Sequence, residues 1–232
     1  MENRRRERGP TRLRFAARAG TLLRMSETPQ PPPDWDSRYA APGWAFGEEP
    51  NDFLRAEASR IPARGRVLCL AEGQGRNAVF LATLGHDVTA MDQSRVGMER
   101  AAALAASRGV TIRTQVADLA SYAIEPGAWD AIVSIYAHVS SDIRRPLYRA
   151  VAAGLKPGGI FLLEAYTPQQ MGRGTGGPPE ADRMMTAAGL RSELPGLEWE
   201  IARELERDVQ EGVRHTGLSH VVQVAGRKPG GR

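Results

Sequence analysis

The pattern of apolar and polar positions between residues 66 and 166 predicts strands and helices in alternation. Apolar runs at 67–71, 87–91, 110–116, 129–136 and 160–164 predict five strands. Segments with apolar residues at helical spacing lie between most of them, at 77–84, 94–107 and 141–155. The first run has no alternation, as is typical of a strand buried on both faces of a parallel sheet, whereas the third alternates like an edge strand. The chain is therefore predicted to be an α/β domain built on a mostly parallel sheet.

Two further segments frame this alternating region. Asn51 is placed to cap a helix at 52–61, directly before the first strand. Near the C-terminus, segments 197–210 and 215–225 are predicted to pair as a hairpin around Glu211-Gly212. The first of these segments also shows helical periodicity at 201–209, so the pattern leaves its structure open.

Charge divides the 232 residues into two parts. Residues 1–33 hold eight arginines and three glutamates and end in Pro-Gln-Pro-Pro-Pro, so this basic, Pro-rich extension is predicted to be disordered. The net charge of the extension is +5, and that of the whole chain is +4. Residues 34–232, the predicted folded domain, therefore have a net charge of −1. A nearly neutral domain lacks the basic surface that polynucleotide binding requires. We also expect Met25 to be the native start and residues 1–24 to have no catalytic role; an organellar targeting peptide is the alternative.

Cysteine content and hydropathy suggest the compartment. Cys69, the single cysteine, lies inside the first apolar run, so it is expected to be a small buried hydrophobe without a disulfide partner. No apolar stretch approaches the about 20 residues of a membrane helix. We therefore expect a soluble, cytoplasmic protein without a membrane partner.

Acidic residues end three successive predicted strands. Glu72-Gly73-Gln74-Gly75 joins the first strand to a helix, as in a nucleotide-binding turn. Asp92 ends the second strand, where an acid accepts hydrogen bonds from ribose hydroxyls, and Asp118 ends the third. Because the carboxyl ends of parallel strands meet at one edge of a sheet, we expect the three carboxylates to converge on one crevice.

The glycines alone do not identify the ligand. Gly73-x-Gly75-x-x-Ala78 also satisfies the pattern of dinucleotide-binding proteins, so a nicotinamide dinucleotide is one interpretation. Against it, the charge of Glu72 would lie beside a pyrophosphate, and a hairpin replaces the second βαβαβ half. Glu72 is better suited to a ligand with a sulfonium and an α-amino group, as in S-adenosylmethionine.

Five motifs lie at corresponding places in the predicted fold: Glu72-Gly73-Gln74-Gly75-Arg76-Asn77, Asp92, Asp118-Leu119, Leu155-Lys156-Pro157-Gly158-Gly159 and Leu163-Glu164-Ala165-Tyr166-Thr167-Pro168. Together they resemble the motifs of the class I S-adenosylmethionine-dependent methyltransferases. Within that class the chain is most similar to the small bacterial group related to the tellurite-resistance methyltransferase TehB and, more distantly, to the thiopurine methyltransferases. The resemblance implies a three-layer Rossmann-like fold, with a seven-stranded, mostly parallel sheet of order 3-2-1-4-5-7-6 and an antiparallel last strand.

The resemblance also implies a cofactor site. By position, Glu72, Gly73 and Gly75 would line the methionine part, Asp92 would hold the ribose, and Asp118 with Leu119 would frame the adenine. Residues 136–138 would lie beside the transferable methyl group, and Arg38 would pair with the cofactor's carboxylate. The complete set assigned to the cofactor is Trp35, Arg38, Tyr39, Glu72, Gly73, Gly75, Asn77, Asp92, Gln93, Asp118, Leu119 and Tyr136.

Methyl transfer is an in-line displacement, so alignment and exclusion of water are the protein's main tasks. His138 is the one candidate for a general base, with a purely pocket-shaping role as its alternative. His86, His215 and His220 are too scattered to predict a metal site. The expected function is methyl transfer to a small molecule, either a thiol, a chalcogen oxyanion or another metabolite. A nicotinamide-dependent oxidoreductase and a non-catalytic sensor of S-adenosylmethionine remain alternatives.

Overall fold

A computed structural model describes residues 34–231, which form a seven-stranded sheet with helices on both faces. The predictions for residues 1–33 lie outside the described residues. The strands are β1 (Arg66–Leu70), β2 (Asp87–Asp92), β3 (Arg113–Val116), β4 (Trp129–Ile135), β5 (Leu155–Tyr166), β6 (Glu198–Glu211) and β7 (His215–Arg227). The helices are α1 (Trp35–Ala40), α2 (Asp52–Glu57), α3 (Arg76–Thr83), α4 (Arg95–Ser107), α5 (Ser141–Gly154) and α6 (Ala187–Glu193), with 3₁₀ turns at Ala58–Arg60, Pro168–Gln170 and Ala181–Arg183.

The sheet has the predicted order, β3-β2-β1-β4-β5-β7-β6. Strands β1 to β5 pair in parallel, and β7 runs antiparallel to both of its neighbours, β5 and β6. The predicted fold is therefore confirmed. Because the first five strands are parallel, their carboxyl ends lie at one edge of the sheet, and β6 and β7 bring a long hairpin beside them.

Helix starts follow the capping chemistry in the sequence. The Asn51 side chain accepts a hydrogen bond from the Leu54 amide at 3.0 Å, and the Ser94 hydroxyl accepts one from the Gly97 amide at 2.9 Å. Both residues stand at the caps that their types predict. Asn51 is also fully buried, and its side-chain amide hydrogen-bonds buried glutamates at the end of the sheet.

The structure differs from the sequence prediction at β5 and resolves the alternative that the sequence left open at β6. The Pro157-Gly158-Gly159 motif lies within β5 as an irregularity, where the pairing with β4 shifts register between Trp129 and Ala131. Gly158 has φ +79°, a conformation that favours glycine. Segment 201–209, which could have been a helix or a strand on its sequence pattern, is a strand, because β6 pairs with β7 along its whole length.

The apolar core covers both faces of the sheet. Side chains of α2, α3 and α4 pack on one face, and those of α5 and α6 pack on the other. Val67, Leu68 and Cys69 of β1 are fully buried, as the unbroken apolar run predicts. Burial raises the pKa of the Cys69 thiol well above its usual value, so this thiol stays protonated. Within residues 34–231, no helix combines the length and the apolar character needed to cross a membrane.

Candidate functional site

The turn after β1 requires glycine at two positions. Gly73 and Gly75 have φ angles of +60° and +92°. A Cβ atom on Gly75 would lie 2.6 Å from the Cβ of Ala101 in α4, and one on Gly73 would lie 2.6 Å from the Tyr39 hydroxyl. The turn therefore fits tightly between α1 and α4, and its backbone faces the crevice at the strand ends.

Glu72 links this turn to the start of α3. Its Oε1 accepts hydrogen bonds from the Asn77 and Ala78 amides, both at 2.8 Å, while Oε2 makes no hydrogen bond to any residue in the described range 34–231. Burial raises the pKa of Glu72 to about 7, against the lowering effect of the Ala78 amide and of Arg76. One carboxylate oxygen thus holds the turn, and the other is available to a ligand. The Asn77 side chain accepts a bond from the Asn51 amide at 2.9 Å.

Asp92 lies beside Glu72 at the end of the neighbouring strand. Its Oδ2 accepts a hydrogen bond from the Gly73 amide and its Oδ1 accepts one from the Ser94 amide, each at 2.8 Å. Burial raises the pKa of Asp92 above its usual value. A carboxylate has about four acceptor positions, so about two remain for ligand hydroxyls.

The third acid of the predicted set lies next to Asp92 but is exposed. The Ala117 amide donates to the Asp92 carbonyl at 2.9 Å, which places the end of β3 against the end of β2. The Asp118 carboxylate accepts a bond from the Ala120 amide at 2.9 Å, Leu119 is half-buried, and Gln93 is exposed. These residues form an open side of the crevice.

Helix α1 lies across the start of α4. Asp36 accepts hydrogen bonds from the Ser94 hydroxyl and from the Val96 amide, the latter at 3.2 Å, and Arg100 donates to the Tyr39 carbonyl at 2.7 Å. Tyr39 is 4% exposed, and its pKa is raised by burial and by the adjacent Asp92. The helix therefore brings its aromatic side against the turn and the carboxylates.

The two other predicted residues of α1, Trp35 and Arg38, extend this aromatic side. The rings of Trp35 and Tyr39 are stacked with centroids 5.5 Å apart, and the Arg38 guanidinium lies 4.6 Å from the Trp35 centroid. Arg38 is half-buried, and burial lowers its pKa. Trp35, Arg38 and Tyr39 thus form one stack at the rim of the crevice.

A second group of rings lies past the end of β4, and we name it the aromatic cluster: Phe46, Tyr136, His138, Tyr166 and His215. His215 is 4.5 Å from both Phe46 and Tyr136, and Tyr136 is 4.7 Å from Tyr166, between ring centroids. Tyr136 has φ +54°, an unusual conformation for a residue of this size. Its hydroxyl donates to Glu164 at 2.7 Å, which holds the ring toward the cluster.

His138 uses both ring nitrogens in contacts with the backbone. Its Nδ1 lies 3.0 Å from the Arg183 carbonyl, and its Nε2 accepts a longer bond from the Tyr166 amide at 3.4 Å. Burial lowers the pKa of His138 to about 4, so the ring is neutral near pH 7 and Nδ1 carries the proton. The ring also stacks on Tyr166 with an interplanar angle of 9°.

Below the cluster lies a buried charge network, which joins Asn51, Arg76, Glu164, Arg207 and Glu211. The Asn51 amide group donates to both glutamates at 2.8 Å, and Arg207 donates to Glu164 at 2.9 Å and to Glu211 at 2.6 Å. Arg76 completes the network by pairing with Glu211. Two guanidinium groups therefore balance two carboxylates, and the hairpin is tied to α3 and β5.

Sequence reasoning did not assign His215, Arg207 or Glu211 to the site. It placed His215 in the hairpin, which is correct, but it gave no reason for the hairpin to reach the crevice. Arg207 and Glu211 are four positions apart, so they share one face of a strand. The available signal was therefore an oppositely charged pair on one face of β6, the edge strand of the sheet. This signal could be used only if segment 201–209 was known to be a strand.

Comparisons with known proteins agree with this architecture. Residues 67–159 match a family model described as a methyltransferase domain. A curated relative is the 2-heptyl-1-hydroxyquinolin-4(1H)-one methyltransferase of Mycobacteroides abscessus, which is 23% identical over 55% of this chain and 57% of its own length. The chain spans about half the length of the curated relatives it matches.

Solved structures show the same fold. TehB from Haemophilus influenzae is 20% identical, covers 76% of this chain and 61% of its own, and gives a TM-score of 0.63. A structure from work on the conversion of a disulfide bond into a thioacetal group during echinomycin biosynthesis is 19% identical. It covers 84% of this chain and 90% of its own, with a TM-score of 0.68.

Proposed function

Because the chain carries a class I S-adenosylmethionine-dependent methyltransferase domain similar to TehB, with S-adenosylmethionine as its cofactor, we propose that it transfers the methyl group of this cofactor to a small-molecule acceptor. Two neighbouring buried carboxylates, Glu72 and Asp92, support this most directly. Burial raises the pKa of both groups, so a ligand that brings a cation to one and hydroxyls to the other would stabilise their charged forms. S-adenosylmethionine has both features.

The residues at the crevice fit this cofactor. The unpaired Oε2 of Glu72 would accept from the α-amino group, and the remaining acceptor positions of Asp92 would take the two ribose hydroxyls. Gly73 and Gly75 allow close backbone approach to the methionine part. Asp118 and Leu119 would border the adenine, with Asn77 and Gln93 as further contacts.

The remaining assigned residues would close the site. Arg38 would pair with the cofactor carboxylate, and Trp35 and Tyr39 would exclude water from the crevice. Tyr136 would border the transferable methyl group, which is already activated as part of a sulfonium. The chain's task is then to align the acceptor with the methyl carbon.

A small aromatic acceptor agrees with the aromatic cluster and with the name of the mycobacterial relative, which is a methyltransferase of a hydroxyquinolone. His138 stays our candidate base for an acceptor proton, and in that role its Nε2 would first have to release the Tyr166 amide, from which it accepts a hydrogen bond at 3.4 Å. With a pKa of about 4 it is a weak base, so we expect a His138→Gln variant to lose only about tenfold in turnover. Unchanged turnover would leave His138 with a pocket-shaping role alone.

Thermal unfolding with added ligands tests the cofactor part of the proposal. S-adenosylmethionine and S-adenosylhomocysteine at about 100 times their dissociation constants are expected to stabilise the protein by about 2.7 kcal/mol, whereas NAD is expected to have no effect. Transfer of a labelled methyl group to a panel of small thiols and aromatic hydroxyl compounds then tests catalysis. Stabilisation by NAD alone would contradict the proposal, and cofactor binding without any transfer would favour a sensor.

The raised pKa of Glu72 predicts that cofactor affinity depends on pH. The cationic amino group favours the ionised carboxylate, so the Glu72 pKa falls below about 7 on binding. Affinity for S-adenosylhomocysteine is therefore nearly constant above about pH 8 and declines as pH falls, by about 30-fold at pH 5.5, as isothermal calorimetry would measure.

Adenosine provides the matched ligand control, because it has the ribose but no amino group. We expect a flat profile for adenosine, and a Glu72→Gln variant should bind S-adenosylhomocysteine weakly and with little dependence on pH. A flat profile for S-adenosylhomocysteine with the unchanged protein would contradict the assignment of Glu72.

A further inference from the structure

We infer that Asn51 is a positioning residue for methyl transfer, because it fixes Tyr136 relative to the turn that carries Glu72. This inference rests on the proposed function, which places Tyr136 beside the transferable methyl group and Glu72 at the cofactor's amino group. The hydrogen bonds of Asn51 reach both of these residues through a single further residue on each side. Sequence reasoning assigned Asn51 only to the cap of α2.

Every polar group of the Asn51 side chain has a partner, and the residue is fully buried. Its Oδ1 accepts a hydrogen bond from the Leu54 amide at 3.0 Å. Its side-chain nitrogen, which carries two hydrogens, donates to Glu164 and to Glu211, in each case at 2.8 Å. Rotating this amide by half a turn would bring its oxygen against two carboxylates, so the contacts define the orientation of the side chain.

The cap of α2 alone does not require asparagine. Serine and aspartate cap helices about as well, but neither offers a side-chain nitrogen with two hydrogens to donate. Asparagine at position 51 therefore caps α2 and binds two buried carboxylates at once. An Asn51→Ser variant keeps the acceptor for the cap and loses the donating nitrogen, which makes it a selective change.

Tyr136 is held at both ends by Glu164. The Tyr136 backbone amide donates to the Glu164 carbonyl at 2.8 Å, and the Tyr136 hydroxyl donates to Oε1 of the same residue at 2.7 Å. With φ +54°, Tyr136 has a backbone conformation that persists only where the surrounding contacts hold it. Oε1 is also the atom to which Asn51 donates, so the position of the tyrosine ring depends on a carboxylate that Asn51 helps to hold.

On its other side Asn51 is bonded to the start of α3. The Asn51 backbone amide donates to the Asn77 side chain at 2.9 Å, and the Asn77 backbone amide donates to Oε1 of Glu72 at 2.8 Å. Asn77 and Glu72 are both buried, so water does not compete for these bonds. Asn51 thus lies between the carboxylate assigned to the cofactor and the carboxylate that orients Tyr136.

The sheet brings the two ends of this connection close together but does not fix them. Leu70 and Ser134 are the last residues that β1 and β4 pair with each other, and Glu72 and Tyr136 each follow two residues later. Because both lie beyond the paired part of their strands, the register alone leaves their side chains undefined. The bonds through Asn51 supply the second link between the two strand ends.

Fluorine NMR of the full chain labelled with 3-fluorotyrosine tests this inference. The chain has five tyrosines, and a Tyr136→Phe variant identifies the signal of Tyr136. We expect Asn51→Ser to shift and broaden that signal, because the carboxylate that orients the ring loses a donor. Affinity for S-adenosylhomocysteine, measured by calorimetry, should stay within about threefold, since the backbone bond from position 51 to Asn77 is retained.

Turnover gives a second readout, with an acceptor from the methyl-transfer panel described above. We expect kcat of Asn51→Ser to fall about tenfold and KM for S-adenosylmethionine to stay within about threefold, because a displaced Tyr136 disturbs alignment more than cofactor binding. A residue that served only the helix cap would lower stability and leave both constants unchanged.

Thr186→Ala is the matched control. The Thr186 hydroxyl caps α6 by accepting from the Gly189 amide at 3.0 Å, and within residues 34–231 it shares no hydrogen bond with the charge network. This variant should be less stable but keep the Tyr136 signal and kcat. An unchanged Tyr136 signal in Asn51→Ser, or the same change in Thr186→Ala, would overturn the inference. A tenfold or larger loss of affinity for S-adenosylhomocysteine in Asn51→Ser would also overturn it, because Asn51 would then act on the cofactor turn.

The two readouts separate this inference from the proposed function. A changed Tyr136 signal in Asn51→Ser, with no methyl transfer by the unchanged protein, would support Asn51 as the residue that fixes Tyr136 and count against the proposed transfer. Methyl transfer with the same kcat in both proteins would support the proposed function and reject the role of Asn51.

Discussion

Replacing Glu164 with alanine is expected to lower the free energy of unfolding by about 3–5 kcal/mol. Glu164 is fully buried at the end of β5, and its Oε1 accepts hydrogen bonds from Asn51, Tyr136 and Arg207. Its Oε2 accepts one more, from Gln223. Alanine would leave these donors without their acceptor and would leave part of the Arg207 charge uncompensated in the interior.

Urea unfolding of matched variants measures this effect. Glu206→Ala removes a carboxylate from β6, but Glu206 is half exposed and pairs with Arg173 at the surface, so we expect a loss below about 1 kcal/mol. Glu164→Gln keeps the shape and one acceptor oxygen and should fall between the two. If Glu164→Ala and Glu206→Ala lose the same amount, the buried network contributes little to stability.

The charge network matters for function because it fixes the position of the hairpin. Arg76 starts α3 next to the glycine turn, and it pairs with Glu211 at the end of β6. The hairpin turn that follows leads to His215 of the aromatic cluster. A weaker network would therefore let the aromatic cluster move relative to the cofactor crevice.

The part of the site that lies on βα turns was open to prediction from sequence. Glu72 and Asp92 directly follow or end apolar runs, and the rule that parallel strands present their carboxyl ends at one edge is enough to bring them together. The Gly73 amide bonded to Asp92 shows how close this contact is. Local pattern and topology thus defined the cofactor side.

The hairpin side could not be predicted in the same way. Arg207 is separated from Glu164 by 43 residues and Glu211 from Arg76 by 135, so no local period reports these pairings. In segment 201–209 apolar and polar residues alternate only weakly, and the apolar residues also fit the spacing of a helix. Only the register of β6 on β7, and of β7 on β5, brings these side chains under the aromatic cluster.

Replacing Asp92 with alanine is expected to weaken cofactor binding about 100-fold or more. Each hydrogen bond between a ribose hydroxyl and a buried carboxylate contributes about 1.5–3 kcal/mol, and Asp92 is assigned two of them. The Gly73 and Ser94 amides also lose their acceptor, so the fold of the variant is checked by circular dichroism before its affinity is measured by calorimetry. Asp87→Ala is the control, because Asp87 begins the same strand at the opposite end and forms an exposed pair with Arg113.

The choice of ligand makes this test specific to the ribose. Asp92→Ala should weaken S-adenosylmethionine, S-adenosylhomocysteine and adenosine alike, since all three carry the ribose, whereas Glu72→Gln should leave adenosine unaffected. General damage to the turn would instead change all affinities in both variants, because Gly73 lies between the two acids and is bonded to Asp92. Binding of adenosine by Asp92→Ala within threefold of the unchanged protein would show that the ribose lies elsewhere, and the crevice at β1 and β2 would then hold only the amino-acid part of the cofactor.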